Sequence, residues 1–590
     1  MVSIFTNHIG YDSGDTKNAV YRREGSETPV SFRVICDGTG ETAWEGAPVE
    51  AGEVDRWGTG YYYTMRFDEV KKPGQYYIEV IDNNGAARRS YPFKIGQNLL
   101  ETSTLSAVGY YFKAQRSTGE YEAADKNIPF MYGKREGRID AHGGWYDATG
   151  DYGVHLSHLS HTTYFNPQQA AFSAYAFFKM NDLLEEAEYP YYTMLKRRLI
   201  EEGMYGADFL MRMRAPSGSF FVTKSRTMDA YGPVASMRVL GCYFRNPTGR
   251  KGGGSWGNVD DITHYDYETS FRAGGGYEIA ALAYAARVTY PSDYTKEEYL
   301  QAAVSSYDYL YAHNELYAND GKWNLVDEYC ALDALVEIYK TTKEIDYLRR
   351  ARAMAKRIID RYIAVNETMG YLRVNDTDRP FFHAADAGMP VVNLLNYCEI
   401  ERQPEEKAAV LAVCEKLMRH ELFVTNEVAN PFGYARQFVQ HGDGSKTTQF
   451  FYPHDVETAP WWQGENARIA SLATAARSLS HHTQDAALAA ALRKYADDQI
   501  NWVLGLNPFD SCMLEGEGRN NIDYFFEGDR RDFIQCPGGI VNGITSGLHD
   551  EHGIAYYSAP TSEVDDNWRW AEQWIPHASW YMYALCMKKI

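Results

Sequence analysis

The chain has 590 residues, with 79 Asp and Glu against 59 Lys and Arg and a formal net charge of −20. That length exceeds the roughly 250–300 residues at which one core stops growing, so it requires several domains or one large repetitive architecture. The acidity repels a phosphate backbone and no basic run interleaved with aromatics offsets it, which excludes nucleic acid; a hydrophobic share of 45% excludes a disordered or fibrous chain.

The opening MVSIFTNHIGYDSGDTKNAVYRREG lacks a basic segment followed by an apolar one. No stretch approaches the roughly 18 apolar residues of a membrane span, so no membrane partner and a cytoplasmic location are expected. Eight cysteines are scattered without a C-x-x-C pair, which predicts reduced, mostly buried thiols rather than a disulfide framework or a zinc ribbon.

Residues 1–96 read as strands: PVSFRVIC, YYYTMRF, GQYYIEVID and RSYPFKIG are β-branched and aromatic runs separated by turns such as KKPG and DNNG. This predicts an Ig-like β-sandwich. From residue 97 to 590 apolar residues recur every three to four positions, which predicts an all-α domain. Twelve helices are expected, starting near Leu99, Gln168, Tyr189, Glu268, Lys296, Leu325, Lys343, Ala384, Pro404, Trp462, Asp485 and Glu572. They come in pairs. WNLVDEYCALDALVEIYKTT runs almost directly into EIDYLRRARAMAKRIIDRYIA, with only Lys343 or so between. Six such hairpins can close into an (α/α)6 barrel.

Residues 117–167, 216–267, 420–461 and 506–571 interrupt the helices as long segments rich in Gly, Trp, Tyr, Asp and Asn, and loops of that length are usually functional. RNPTGRKGGGSWGN has the composition of a lid and equally of a plain surface loop. DDITHYDYE holds oxygen donors without calcium-loop spacing, so neither a metal nor a cofactor is expected.

AHGGWYDATGDYGVH sets Asp147 and Asp151 four residues apart among glycines, directly after Trp145 and Tyr146. Read alone, DATGD is equally an Asp/Gly turn that caps backbone N–H groups. Two carboxylates can also hold and deprotonate a water, and beside a third acid they would perform inverting glycoside hydrolysis. Trp145 and Tyr146 would then offer a face to a sugar.

GGWYDATGD resembles the G-G-[WY]-x-D-A-G-D motif of glycoside hydrolase family 9 with its N-terminal Ig-like module. TNHIGYDSGDTKNAVY and LLETSTLSAVGYYFKAQR are similar to that module's first strand and the first barrel helix. FHAADAGMPVVNLLNY, APWWQGENARIASLATAARSL, NWVLGLNPFDSCMLEGEG and CPGGIVNG follow in the family's order. The resemblance implies that Asp151 is the general base, that Asp147 helps to hold the nucleophilic water, and that Glu572 in NWRWAEQWIPHASW is the general acid. Glu563 in TSEVDD is the nearest rival acid.

Three departures accompany the resemblance. Thr149 widens the aspartate spacing from three to four, GRNNIDYFFEGDRRDF replaces the sugar-contacting H-x-R region, and AEQW replaces NE-x-A. Together they resemble the exo-β-D-glucosaminidase branch of chitin-degrading marine bacteria. That implies release of β-1,4-linked glucosamine from small soluble oligosaccharides, with a cellodextrin glucosidase, an endoglucanase or a non-catalytic carbohydrate-binding protein as the alternatives. Glu515, Glu517, Asn521, Asp523 and Tyr524 then become candidates for holding an ammonium-bearing sugar, and His454, Asp455, Trp461 and Trp462 candidates for sugar contact. Nothing in the sequence specifies an oligomeric state.

Overall fold

The computed structural model describes residues 3–158, 163–187, 192–226, 237–245, 264–456, 462–530, 535–549 and 553–588. The N-terminal strands form two sheets. One orders Ile4–Phe5, Asn18–Arg23, Tyr61–Arg66 and Val49–Glu53; the other orders Gly10–Asp12, Phe93–Gly96, Gly74–Asp82, Pro29–Cys36 and Thr42–Gly46, with Ala87–Arg89 beside Gly74–Asp82. Alternate residues of each sheet face inward, and Tyr21, Tyr63 and Met65 of the first meet Phe32, Val34, Ile78 and Phe93 of the second in one core.

Twelve helices of ten residues or more follow among the described residues. They are α1 (Leu99–Gln115), α2 (Ala170–Glu186), α3 (Thr193–Arg212), α4 (Gly276–Ala285), α5 (Lys296–Tyr317), α6 (Leu325–Thr342), α7 (Ile345–Ile359), α8 (Met389–Ile400), α9 (Pro404–Asn426), α10 (Asn466–His482), α11 (Ala486–Val503) and α12 (Ile575–Met587). Each even-numbered helix packs on the next, and α12 returns to α2, so these six close on themselves. The odd-numbered helices lie outside them: α3 on α2 and α4, α5 on α4 and α6, α7 on α6 and α8, α9 on α8 and α10, α11 on α10, and α1 on α12.

The sequence explains the two layers. Helix α4, GYEIAALAYA, is buried along its whole length, and its small residues let neighbours approach; a Cβ on Gly276 would lie 2.5 Å from Cys330 Cβ. Helix α7 instead buries only Tyr347, Leu348, Ala351, Met354, Ala355 and Ile358, a single stripe, and turns its arginines and lysines outward. Asn324 caps α6 through the amides of Val326 and Asp327, and Lys343 at φ 61° ends it, so the hairpin turns where the sequence places it.

The two parts are joined tightly. Trp57 packs on Trp502, Phe432, Phe450 and Phe451, and Asn7 Nδ2 donates to Asn501 Oδ1 at 2.8 Å. Lys588 Nζ donates to Asp15 Oδ2 at 2.6 Å and also bonds Asp12. One expectation changes. Glu572 does not open α12: it follows a single helical turn, Trp568–Ala571, and lies in extended backbone (φ −66°, ψ 131°) before Ile575.

Candidate active site

The motif segment is stitched to the extended segment that carries Glu572. Thr149 N donates to Gln573 O at 2.9 Å, Ile575 N donates to Asp147 O at 2.9 Å, and Ala148 bridges to Trp574. The inserted Thr149 adds a side-chain clasp, its hydroxyl donating to Gln573 Oε1 at 2.8 Å, and Cys536 N donates to that same oxygen at 2.8 Å. The wider aspartate spacing is thus absorbed by a loop fastened to the neighbour of Glu572. Gly144 bends the chain before the motif at φ 76°, where a Cβ would lie 2.8 Å from Val154 Cγ1.

A buried cluster of charges holds the other side of this loop. Arg238 grips Asp125 in two bonds of 2.7 and 3.0 Å, and Lys224 Nζ donates to Asp125 Oδ2 at 2.6 Å. The two cations reach onward to backbone carbonyls of the loop, Lys224 to Gly143 at 2.6 Å and Arg238 to Tyr152 at 2.6 Å. Burial lowers the Lys224 pKa to about 8 against the pull of Asp125. Asp125, Lys224 and Arg238 carried no signal in the sequence, because they are dispersed along the chain and meet only in the fold.

The three carboxylates have different surroundings. Asp151 is exposed, and its Oδ1 accepts from Tyr152 N at 2.5 Å and Gly153 N at 3.2 Å. Asp147 is buried; Gln169 Nε2 donates to its Oδ2 at 3.4 Å, and its Oδ1 has no protein partner. Burial first, then the charges of Asp151 and Glu572, push the Asp147 pKa well above the usual carboxylate range. Glu572 is raised to about 8 by burial and by Asp151, against one hydrogen bond from Asn542 Nδ2 at 3.4 Å. Asn542 is fixed in turn by His577 Nε2 at 2.8 Å, whose Nδ1 accepts from Ala467 N. The site therefore sets a buried carboxyl whose pKa is raised to about 8 near the exposed carboxylate of Asp151, whose charge helps to raise it.

The remaining sequence candidates fare unevenly. Trp145 is fully buried and donates to Glu202 Oε2 at 3.0 Å, so its ring packs the core instead of meeting a sugar. Tyr146 is half-buried, edge-on to Tyr121 and Tyr152. Trp462 lies between His454, stacked at 3.8 Å, and the Arg569 guanidinium at 4.0 Å; two groups so close must take opposite faces, so the indole leaves only its edge for a ligand. His454 Nε2 lies 2.8 Å from Ser546 Oγ, and Asp455 is exposed and takes His441 Nδ1 at 3.1 Å. Asn521 spends its amide on the carbonyls of Cys512, Leu514 and Glu517, closing its own loop, and Tyr524 is buried. Asp523 is half-buried, with its carbonyl held by Asn567 Nδ2 at 2.7 Å, one link from the helical turn before Glu572. Glu563 is an exposed partner of His549. Trp461 and residues 246–258 of the glycine-dense segment lie outside the described residues.

The family described as cellulase N-terminal ig-like domain matches residues 2–84, and that described as glycosyl hydrolase family 9 matches residues 102–527. Glu572 lies beyond the matched span, so its part in the site rests on geometry. A metagenome-derived glycoside hydrolase family 9 endoglucanase superposes with a TM-score of 0.66 at 17% identity, over 99% of this chain and 98% of that one. The family 9 endoglucanase J30 gives 0.66 at 20%, over 98% and 99%. A Bacteroides ovatus family 9 protein gives 0.64 at 16%, over 100% and 99%. These likenesses speak for the fold. No curated protein matches the chain by sequence.

Proposed function

The chain belongs to glycosyl hydrolase family 9, and from that premise we propose that it cleaves a β-glycosidic bond with inversion, using Asp151 as base and Glu572 as acid. In this reading residues 1–96 are the Ig-like module and 97–590 an (α/α)6 barrel, a division supported by the closed run of inner helices. Asp151 takes a proton from a water that Asp147 helps to hold, while Glu572 protonates the leaving oxygen. The observation that carries the proposal is geometric: backbone bonds from Thr149 to Gln573 and from Ile575 to Asp147 fasten the Asp147–Asp151 loop to the segment of Glu572, whose carboxyl pKa is pushed up to about 8 by burial.

For substrate, we favour release of β-1,4-linked glucosamine from the non-reducing end of short oligosaccharides. An ammonium needs anionic neighbours, and Asp523 and Asp566 flank Asn567 in space and sequence, next to the strand of Glu572. The charge of Asp566 also helps to raise the Glu572 pKa. A charge-assisted hydrogen bond would contribute about 1.5–3 kcal/mol, or one to two orders of magnitude over glucose. The alternative is a cellodextrin glucosidase or an endoglucanase, the latter being the activity named for two of the superposed structures. The eight free cysteines support the cytoplasmic expectation.

Proton NMR of chitosan oligomers and of cello-oligomers during the first minutes of reaction tests both parts. The expected result is glucosamine released one unit at a time, first as the α-anomer, with cellobiose a poor substrate. Faster cleavage of cello-oligomers, or cutting in mid-chain, would return the chain to the endoglucanase reading; a first product in the β-anomer would refute inversion.

A further inference from the structure

Asp147, Asp151 and His155 follow one another at intervals of four residues, and one potential ligand atom from each lies within 4.8 Å of the other two. We propose that this trio binds a divalent cation of the zinc type, which takes the place of the nucleophilic water and so blocks the site reversibly.

The imidazole is prepared for this. Residues Val154 and His155 pair with Thr223 and Lys224 in an antiparallel ladder, which sets the ring in place. His155 Nδ1 lies 2.5 Å from Thr223 Oγ1, whose own hydroxyl donates to Val154 O at 3.1 Å. With the Thr223 hydroxyl donating to Val154 O, its oxygen accepts from Nδ1–H, and that tautomer puts the lone pair on Nε2, 3.5 Å from Asp147 Oδ2. Gly153 keeps that nitrogen uncovered, since a Cβ there would lie 2.4 Å from Nε2.

The carboxylates complete a donor set. The Asp147 side chain is 10% exposed; its Oδ2 faces His155 and takes one long bond from Gln169, and its Oδ1 has no protein partner, so the carboxylate has acceptor capacity left for a ligand. Asp151 is exposed and gives the cation a route in, as well as a third bond. One imidazole nitrogen with two carboxylate oxygens is a set that suits zinc and leaves a fourth position open, whereas magnesium and calcium prefer oxygen alone. Tetrahedral closure needs ligand atoms roughly 3.3 Å apart; His155 Nε2 and Asp147 Oδ2 are already 3.5 Å apart, and the exposed Asp151 side chain would swing in to complete the set.

The blocking effect rests on the hydrolase reading, but binding does not, so binding is measured first. The full chain is titrated with zinc chloride by calorimetry, with magnesium chloride as comparison, and its unfolding temperature is followed. Expected are one zinc per chain, a rise of a few degrees at about a hundredfold excess over Kd, and no response to magnesium. Affinity should fall at least tenfold in His155→Gln and in Asp151→Asn, the second of which changes an exposed side chain and keeps the fold. No zinc binding by the parent, or equal affinity in Asp151→Asn, would overturn the proposal. If zinc binds as expected yet no glycoside is cleaved, the hydrolase reading fails and the metal site stands.

Discussion

Replacing Asp151 by alanine is expected to lower turnover by about 10²–10⁴-fold, the usual worth of a general base, while the protein stays folded. The side chain is exposed and lies outside the packed core, so the unfolding temperature should barely move. Its two hydrogen bonds from Tyr152 N and Gly153 N raise the rival explanation, that the carboxylate only shapes the turn. Asp151→Asn separates the two: the amide oxygen still accepts from both N–H groups but takes no proton. Loss in both variants assigns the proton transfer to Asp151, whereas near-parental turnover in Asp151→Asn would reduce the motif to a turn.

Glu572→Gln is expected to abolish cleavage of natural glycosides while sparing substrates whose leaving group departs without a proton. The acid is needed only where the departing oxygen is strongly basic, so a nitrophenolate-type leaving group should retain much of its rate. Equal loss on both substrates would refute the acid role. The pH profile gives an independent reading. Glu572 loses its proton near pH 8, so turnover of natural substrates should fall as pH rises through about 8, and the same limb should be absent for the activated substrate. Stability carries the same sign: a carboxyl whose folded pKa lies above its unfolded 4.5 favours the fold at low pH and loses that contribution as pH climbs from 4.5 through about 8. Glu572→Gln should remove this share of the pH dependence, measurable as a smaller drop in unfolding temperature between pH 6 and 9.

The sequence by itself determined the features that depend on near neighbours along the chain. Alternating aromatics fix the strands of the first hundred residues, and the stripe of Tyr347, Leu348, Ala351, Met354 and Ile358 fixes an outer helix. Asn324 and Lys343 mark where a helix begins and where its hairpin turns. The motif also named Asp147 and Asp151, because two carboxylates in a glycine-rich turn are conspicuous without any fold. Tertiary structure decided which side chains stay available to a ligand. Trp145 was a candidate for sugar contact by adjacency, yet its indole is the one driven into the core, to Glu202. Asn521, a candidate for holding the sugar, is spent on its own loop, and Trp462 is covered by His454 and Arg569 from distant segments. The clamp of Asp125, Lys224 and Arg238 spans more than a hundred residues of chain, so no local pattern could announce it. The raised pKa of Glu572 is likewise tertiary in origin, because it depends on burial and on charges that only folding assembles.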